Sequence, residues 1–293
     1  MTAPSRPLLA LAWMIGAVAS FSAMAVAGRE LYVHMNTFEL MAYRSFIGLA
    51  IVAFIIARTS KGFAQIKTGV PILHLQRNVV HFTGQNLWFY GVAVIPLAEL
   101  VSIEFTNPIW VALLAPLMLG ESITRTRIIA AVLGFVGVLI VARPGAAALD
   151  LGHAAGLGAA LGFALNTIFT RRLMNHDSVL CVLFWMTVLQ LSMALVLALP
   201  GGIPLPNAES WPWLLVVGIC GLTAHYSLTS ALAAAPATIV APMEFARLPV
   251  ITILGMFLYD EPLVFAVFIG AAVIVIANLI NLYGETRPSR TDL

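Results

Sequence analysis

Charge is what this 293-residue chain has least of. Asp, Glu, Lys and Arg together make up 10% of it, where a soluble domain carries about 25%. Hydrophobic residues account for 61%, and mean hydropathy is +0.98. A soluble fold of this length cannot bury that much apolar surface, so lipid must be the solvent. The net charge of +2 excludes the basic footprint of a nucleic-acid binder. There are only two cysteines, Cys181 and Cys220, both inside apolar runs, so a disulfide framework is excluded and both read as packing residues. No HExxH occurs, and His74 and His81, seven residues apart, have no obvious third ligand, so neither a metal nor a cofactor is expected. Polar stretches long enough for a soluble domain are missing as well.

What is present is a succession of apolar segments. A spanning helix needs about 20 such residues, and the breaks at charges, Gly and Pro mark ten. They lie near 8–28, 36–57, 71–94, 97–118, 126–143, 152–171, 178–199, 211–233, 237–258 and 262–283. The first is long enough to span, and is read as a helix rather than a cleavable signal. With the N-terminus inside, the inner segments hold Arg6, Arg58, Lys61, Lys67, Arg125, Arg127, Arg171, Arg172, Arg287 and Arg290, and the outer loops only Arg29 and Arg143. This asymmetry puts both termini in the cytoplasm. Trp211 and Trp213 fit an outer aromatic belt.

A shift of 140 residues sets Pro96 on Pro236, Glu104 on Glu244, Phe105 on Phe245, Leu114 on Leu254 and Glu121 on Glu261. A shift near 142 sets Phe21 on Phe163 and Leu31 on Leu173. Chance matching in an apolar background is the alternative, but two coincident glutamates among thirteen acidic residues argue against it. Five spans per copy is odd, so the second copy is inverted, which is the usual plan of secondary transporters with a site near the midplane. The expected units are residues 1–145 and 146–293.

Two motifs give the reading a family. Leu119-Gly120-Glu121-Ser122-Ile123-Thr124, followed by a helix with Gly134 and Gly137 and closed by Val141-Ala142-Arg143-Pro144-Gly145, resembles the end of an EamA repeat of the drug/metabolite transporter superfamily. Tyr259-Asp260-Glu261-Pro262 is a looser second copy, with Asp260 in place of glycine, and Arg44 sits where the family often carries an arginine. The resemblance covers nearly the whole chain. It implies an all-α membrane protein with ten transmembrane helices in two inverted five-helix repeats around a central cavity. It also implies a bacterial inner-membrane transporter, most similar to amino-acid exporters. S-adenosylmethionine or organic-cation transport is the alternative within the same fold.

The remaining evidence is charge inside the spans. Arg44, Arg77, Glu99, Glu104, Glu244, Arg247, His81 and His225 all fall there. One Arg, Lys or Asp at a helix centre costs about 2.5–3.5 kcal/mol on insertion scales, so these groups must pair or face water. Three Arg against three Glu permits complete pairing. His74, Arg77, His81, Gln85 and Trp88 share one face of the third helix, which reads as cavity lining, unless Arg77 and His74 merely snorkel at its end. Glu104-Asn107 and Glu244-Arg247 are repeat-related pairs on single helix faces, with Pro108 and Pro249 just beyond them. Glu244 and Arg247 either neutralise each other or join the site.

Repeat arithmetic sets His225 and Tyr226 against Gln85 and Asn86, and Asn166 and Trp185 are further candidates. The expected substrate site is therefore Arg44, His81, Gln85, Trp88, Glu104, Asn107, Asn166, Trp185, His225, Tyr226, Glu244 and Arg247. Its acceptors and donors suit a zwitterion such as an amino acid. Glu121 and Glu261 are expected to cap the helices that follow them. Protons are a candidate coupling ion, and a monomer is the simplest assembly. An intramembrane enzyme finds no His-Asp or Ser-His spacing to support it; a receptor without transport is the remaining class.

Overall fold

The computed structural model describes residues 6–119, 124–143, 150–235, 240 and 243–286, and among them there is no strand. With no water in the hydrocarbon core, each backbone amide must bond within its own segment, and helices do this. Their starts are specified locally. Helix α1 runs Pro7–Tyr32 and α2 Thr37–Arg58. Asn36 accepts from Phe38 N and Glu39 N ahead of α2, while Glu39 accepts from Asn36 N, a closed capping box. A short 3-10 turn at Gly62–Ile66 leads to α3, Pro71–Val94. Helices α4 (Leu97–Glu104) and α5 (Asn107–Leu119) follow, then α6 (Arg125–Ala142), α7 (Leu151–Leu173), α8 (Val179–Ala198), α9 (Ser210–Ala234), α10 (Arg247–Tyr259) and α11 (Phe265–Thr286).

Eight stretches are long and apolar enough to cross a bilayer, with Leu97–Met118 counted as one. Helix α3 is long enough but more polar, and α10 is shorter. The chain is thus a multi-pass all-α membrane protein. Two expected spans are not continuous. The one near 97–118 is broken at Phe105–Thr106, because Pro108 has no N–H to donate and its ring excludes an ordinary turn. The one near 237–258 lies partly outside the described residues and turns at Phe245–Ala246, with Pro249 beyond. At the first break Asn278 of α11 donates to the freed Phe105 carbonyl at 2.7 Å. At the second, Leu248 N reaches Phe245 O at 3.1 Å in a tightened turn.

Packing is interleaved. Helix α1 lies along α9, α3 along α7, α2 along α8 and α6 along α11. Without a hydrophobic force between helices in lipid, close approach depends on small residues. A Cβ on Gly162 would lie 2.9 Å from Gly84 Cα, and one on Gly137 would lie 2.8 Å from the Gly270 carbonyl.

Candidate functional site

The break between α4 and α5 exposes polar side chains to a cavity of about 390 Å³. Glu104, Asn107, Glu244, Asn278 and Asn281 supply its polar wall, Phe105, Phe245, Leu228 and Val240 much of the apolar one. Its volume is within the usual range for small-molecule pockets, about 300–1,000 Å³. It lies in the half of the bundle nearest the end where α1 begins.

One carboxylate organises this site. Glu104 Oε2 accepts from the Trp88 indole at 2.8 Å, and Oε1 lies 2.8 Å from Arg247 Nη2. The second contact is an ion pair whose angle falls outside hydrogen-bond geometry, and Arg247 Nε and Nη2 have no hydrogen-bond acceptor. Arg247 is 2% exposed, with Phe21 and Phe105 rings 5.1 and 5.3 Å from its guanidinium carbon. Arg247 therefore pairs across the halves of the chain with Glu104 rather than with Glu244 on its own segment. Glu244 makes no ion pair among the described residues, although the charges of Arg247 and Glu104 both act on it.

The complete pairing permitted by composition is not what forms. Glu99 is held by Arg143 at 2.9 Å and His153 at 3.0 Å. Arg44 and Arg77 have no carboxylate partner among the described residues. Both belong to a buried polar chain on α2, α3, α7 and α8. Arg44 donates to the Gln85 oxygen at 2.9 and 3.0 Å in the amide orientation that also lets Gln85 donate to Gln190 Oε1 at 2.9 Å. Gln190 Nε2 lies 2.9 Å from His81 Nδ1, and Arg77 donates to Asn78 at 3.0 Å and Thr170 at 3.3 Å. Arg77 is buried here and does not snorkel.

Three ring pairs link this chain to the cavity side. His81 faces Phe163 with centroids 6.0 Å apart, His225 faces Phe21 at 5.6 Å, and the two histidines lie 6.2 Å from each other. Phe21 thus sits between His225 and Arg247.

The other candidates lie elsewhere. Tyr226 is 66% exposed and meets Trp13 edge to face on the outer surface. Trp185 donates to the Ile66 carbonyl at 3.0 Å and fastens the Gly62–Ile66 turn. Asn166 precedes the cavity residue Thr167 and keeps an unpartnered Oδ1. Sequence reasoning passed over Asn278 and Asn281, whose signal was two amides one turn apart in an otherwise apolar last span. It also missed Asp177 and its pairing with His74, 2.8 Å apart across 103 residues. With Cys181 they form a group whose ligand atoms lie within 4.8 Å of one another. Asp177 Oδ2 already accepts from Thr68 Oγ1 at 2.6 Å, so this cluster ties the α7–α8 connection to α3. Burial works against ionisation of Asp177, but hydrogen bonds from Thr68 and His74 and the nearby imidazoles outweigh it and hold the carboxyl below its ordinary value.

At the opposite end of the bundle Arg29 reaches Glu261 and the carbonyls of Val92 and Ile95. Glu261 also accepts from Leu97 N at 3.0 and 3.1 Å. It therefore caps α4, far away in sequence, rather than the helix that follows it. Glu121 lies outside the described residues.

Known proteins resemble this chain over nearly its whole length. The chain is 27% identical over 287 residues to a riboflavin transporter of Rhizobium johnstonii, covering 98% of this chain and 95% of that one. It is 24% identical over 280 residues to an S-adenosylmethionine uptake transporter of Rickettsia conorii, covering 96% and 94%. A riboflavin transporter of Vibrio cholerae matches at 27% over 300 residues, covering 100% and 99%. A solved crystal structure, 17% identical, superimposes with a TM-score of 0.65 over 96% of this chain and 99% of that one, which supports the fold alone. These named relatives are transporters, not enzymes. The EamA-like transporter family pattern matches residues 8–143 and again 150–283. The chain belongs to the EamA-like transporter family.

Proposed function

We propose that this transporter carries a small zwitterion with an amino-acid head group and an additional positive charge, of the S-adenosylmethionine type. The observation that carries this is the charge of the cavity: Glu104 and Glu244 face it, with Arg247 alone against them. A cationic centre answers that imbalance, whereas a neutral flavin makes no use of it. Free amino acids present the same head group without the extra charge. Amino-acid export, the finer expectation from the sequence, has no counterpart in the relatives' names above, and the S-adenosylmethionine alternative does. Riboflavin is the second reading, favoured by three amides, Asn107, Asn278 and Asn281, in the cavity wall.

The substrate set is Glu104, Asn107 and Glu244 at the cavity, with Trp88 and Arg247 positioning Glu104. His81 and His225 stand at the inner boundary, and Tyr226 and Trp185 are left out. Alternating access by two inverted halves is supported by three features. The α1–α9 packing becomes the α7–α3 packing when the halves are exchanged, and α2 with α8 and α6 with α11 pair with their own counterparts. Both breaks fall at matching positions, Phe105 and Phe245. The paired rings match too, Phe21 with His225 and Phe163 with His81, which makes His225 the counterpart of His81 rather than of Gln85. The Lys- and Arg-rich end, with both termini, is the cytoplasmic one in the bacterial inner membrane. A monomer holds the whole cavity, and Glu244 is the group free to carry a coupled proton.

Counterflow in proteoliposomes tests this. Labelled S-adenosylmethionine should accumulate when the same compound is inside, and Glu244→Gln should abolish accumulation while the protein still reconstitutes. Accumulation of riboflavin alone, unaffected by Glu244→Gln, would overturn the charge argument.

A further inference from the structure

The α2–α3 and α7–α8 connections meet at the Lys- and Arg-rich end of the bundle and enclose a second cavity, of about 410 Å³. Lys61, Gln65 and Lys67 line it from the first connection, His176, Asp177 and Ser178 from the second. Its volume falls in the range of small-molecule pockets, about 300–1,000 Å³. Exposed lysines are ordinary at this end of a membrane protein. These two differ in standing around a preformed recess.

The chain itself holds the recess open. Gln65 Nε2 donates to Thr59 Oγ1 at 2.6 Å and to the Gly62 carbonyl at 2.9 Å, while Trp185 fastens the Ile66 carbonyl at 3.0 Å. Thr68 Oγ1 accepts from Val70 N at 3.0 Å and donates to Asp177 Oδ2 at 2.6 Å, which ties one wall to the other. That same oxygen lies 2.8 Å from His74 Nε2, so it is committed to the frame. Lys61 and Lys67 are exposed and form no ion pair among the described residues. Two lysines against one aspartate leave a single positive charge unanswered around the cavity.

The surroundings select the anion. Both connections join long helices, so the cavity lies at the level of lipid head groups. Half-exposed Phe63 falls between the lining residues Lys61 and Ala64, and half-exposed Val179 directly follows Ser178. Just after Lys67, α3 begins an outward apolar stripe with Ile72, Leu75 and Val79. A soluble anion has no use for such a rim, whereas acyl chains do.

We propose that this cavity holds the head group of an anionic phospholipid of the phosphatidylglycerol type, with its phosphodiester between Lys61 and Lys67. The single negative charge of that group answers the charge of the site. Seated there, the lipid fastens the α2–α3 connection to the start of α8. The site is separate from the substrate cavity, which is lined by other residues.

The test titrates purified full-length protein in a neutral detergent with phosphatidylglycerol, and in parallel with phosphatidylcholine and phosphatidylethanolamine of the same acyl chains. Thermal stability should rise saturably with phosphatidylglycerol alone, and inorganic phosphate at constant ionic strength should leave it unchanged. Both lysines are exposed and unpaired, so the double variant Lys61→Gln, Lys67→Gln should fold normally. It should raise the half-saturating lipid concentration by about 25-fold, roughly fivefold for each lysine. Arg125→Gln, at the same end but outside the cavity, should not shift it. An equal rise with all three lipids, or a double variant that responds like the parent, would overturn the site. An equal loss in Arg125→Gln would assign the effect to diffuse attraction, and a rise with inorganic phosphate would replace the lipid by a free anion. Because the readout is lipid binding, failure of S-adenosylmethionine counterflow leaves this result standing.

Discussion

Phe105 and Phe245 meet edge to face with ring centroids 5.0 Å apart and planes at 80°, each at the point where its own helix breaks. Edge-to-face pairs are worth about 0.5–1.5 kcal/mol beyond their buried area. The two breaks therefore lean on each other. A double-mutant cycle of Phe105→Leu and Phe245→Leu, read by thermal unfolding in detergent, should return a coupling within that range. Strict additivity would mean that the breaks move independently.

Glu104 and Arg247 form the ion pair nearest the cavity. Losing one partner of a buried pair typically costs about 3–5 kcal/mol, and the surviving charge of Glu244 should keep Glu104→Gln near the low end. Arg247→Met in the same chain removes the stranded cation, so the double variant should regain most of the stability. It should not regain transport, because the cavity has lost a carboxylate. Recovery of flux together with stability would assign Glu104 a purely structural part.

Asn278 donates to the Phe105 carbonyl that the break sets free. Asn278→Leu leaves that buried acceptor unpaired, at a cost of about 1–3 kcal/mol. Asn281→Leu, one turn on in the same cavity wall, makes no such bond among the described residues. Comparing the two variants by thermal unfolding should show the larger loss at Asn278.

Asp177 gives a pH signature outside the bilayer. Its carboxyl is held below the ordinary value of 3.8, so it binds fewer protons folded than unfolded. Its stabilisation is complete above 3.8 and is lost as pH falls through the lowered folded value. Asp177→Asn should therefore be the less stable protein at neutral pH, and the gap should narrow only in acid below 3.8. A constant gap across an acid titration would assign the effect to packing.

Most of the fold was legible because lipid imposes one rule on every segment: it must be apolar, about 20 residues long and helical. Composition and loop charges read that rule directly, and ten segments followed. The breaks at Phe105 and Phe245 were only half visible. Pro108 and Pro249 marked a disturbance, but whether a helix bends or stops depends on what takes up the freed carbonyl, and Asn278 does so from 173 residues away. The site was legible in its residue types and not in its pairings. Counting three Arg against three Glu treats charges as interchangeable, whereas Glu99 went to Arg143 and His153 and left Arg44 with amides. Tyr226 shows the other limit. Repeat arithmetic carried Tyr226 along with its neighbour His225, but adjacent helical residues lie about 100° apart around the axis, and Tyr226 points out while His225 points in.

Glu261 holds three parts of the chain with one carboxylate: Arg29 at the end of α1, the first amide of α4, and its own short connection after α10. Gly255 leaves the space it occupies, since a Cβ there would lie 2.3 Å from Glu261 Oε2. Withdrawing the carboxylate leaves the first amide of α4 without that acceptor and Arg29 with the Val92 and Ile95 carbonyls alone. An opening of that end of the bundle would start at this one group, closer to the release of a latch than to the gradual parting of a seam.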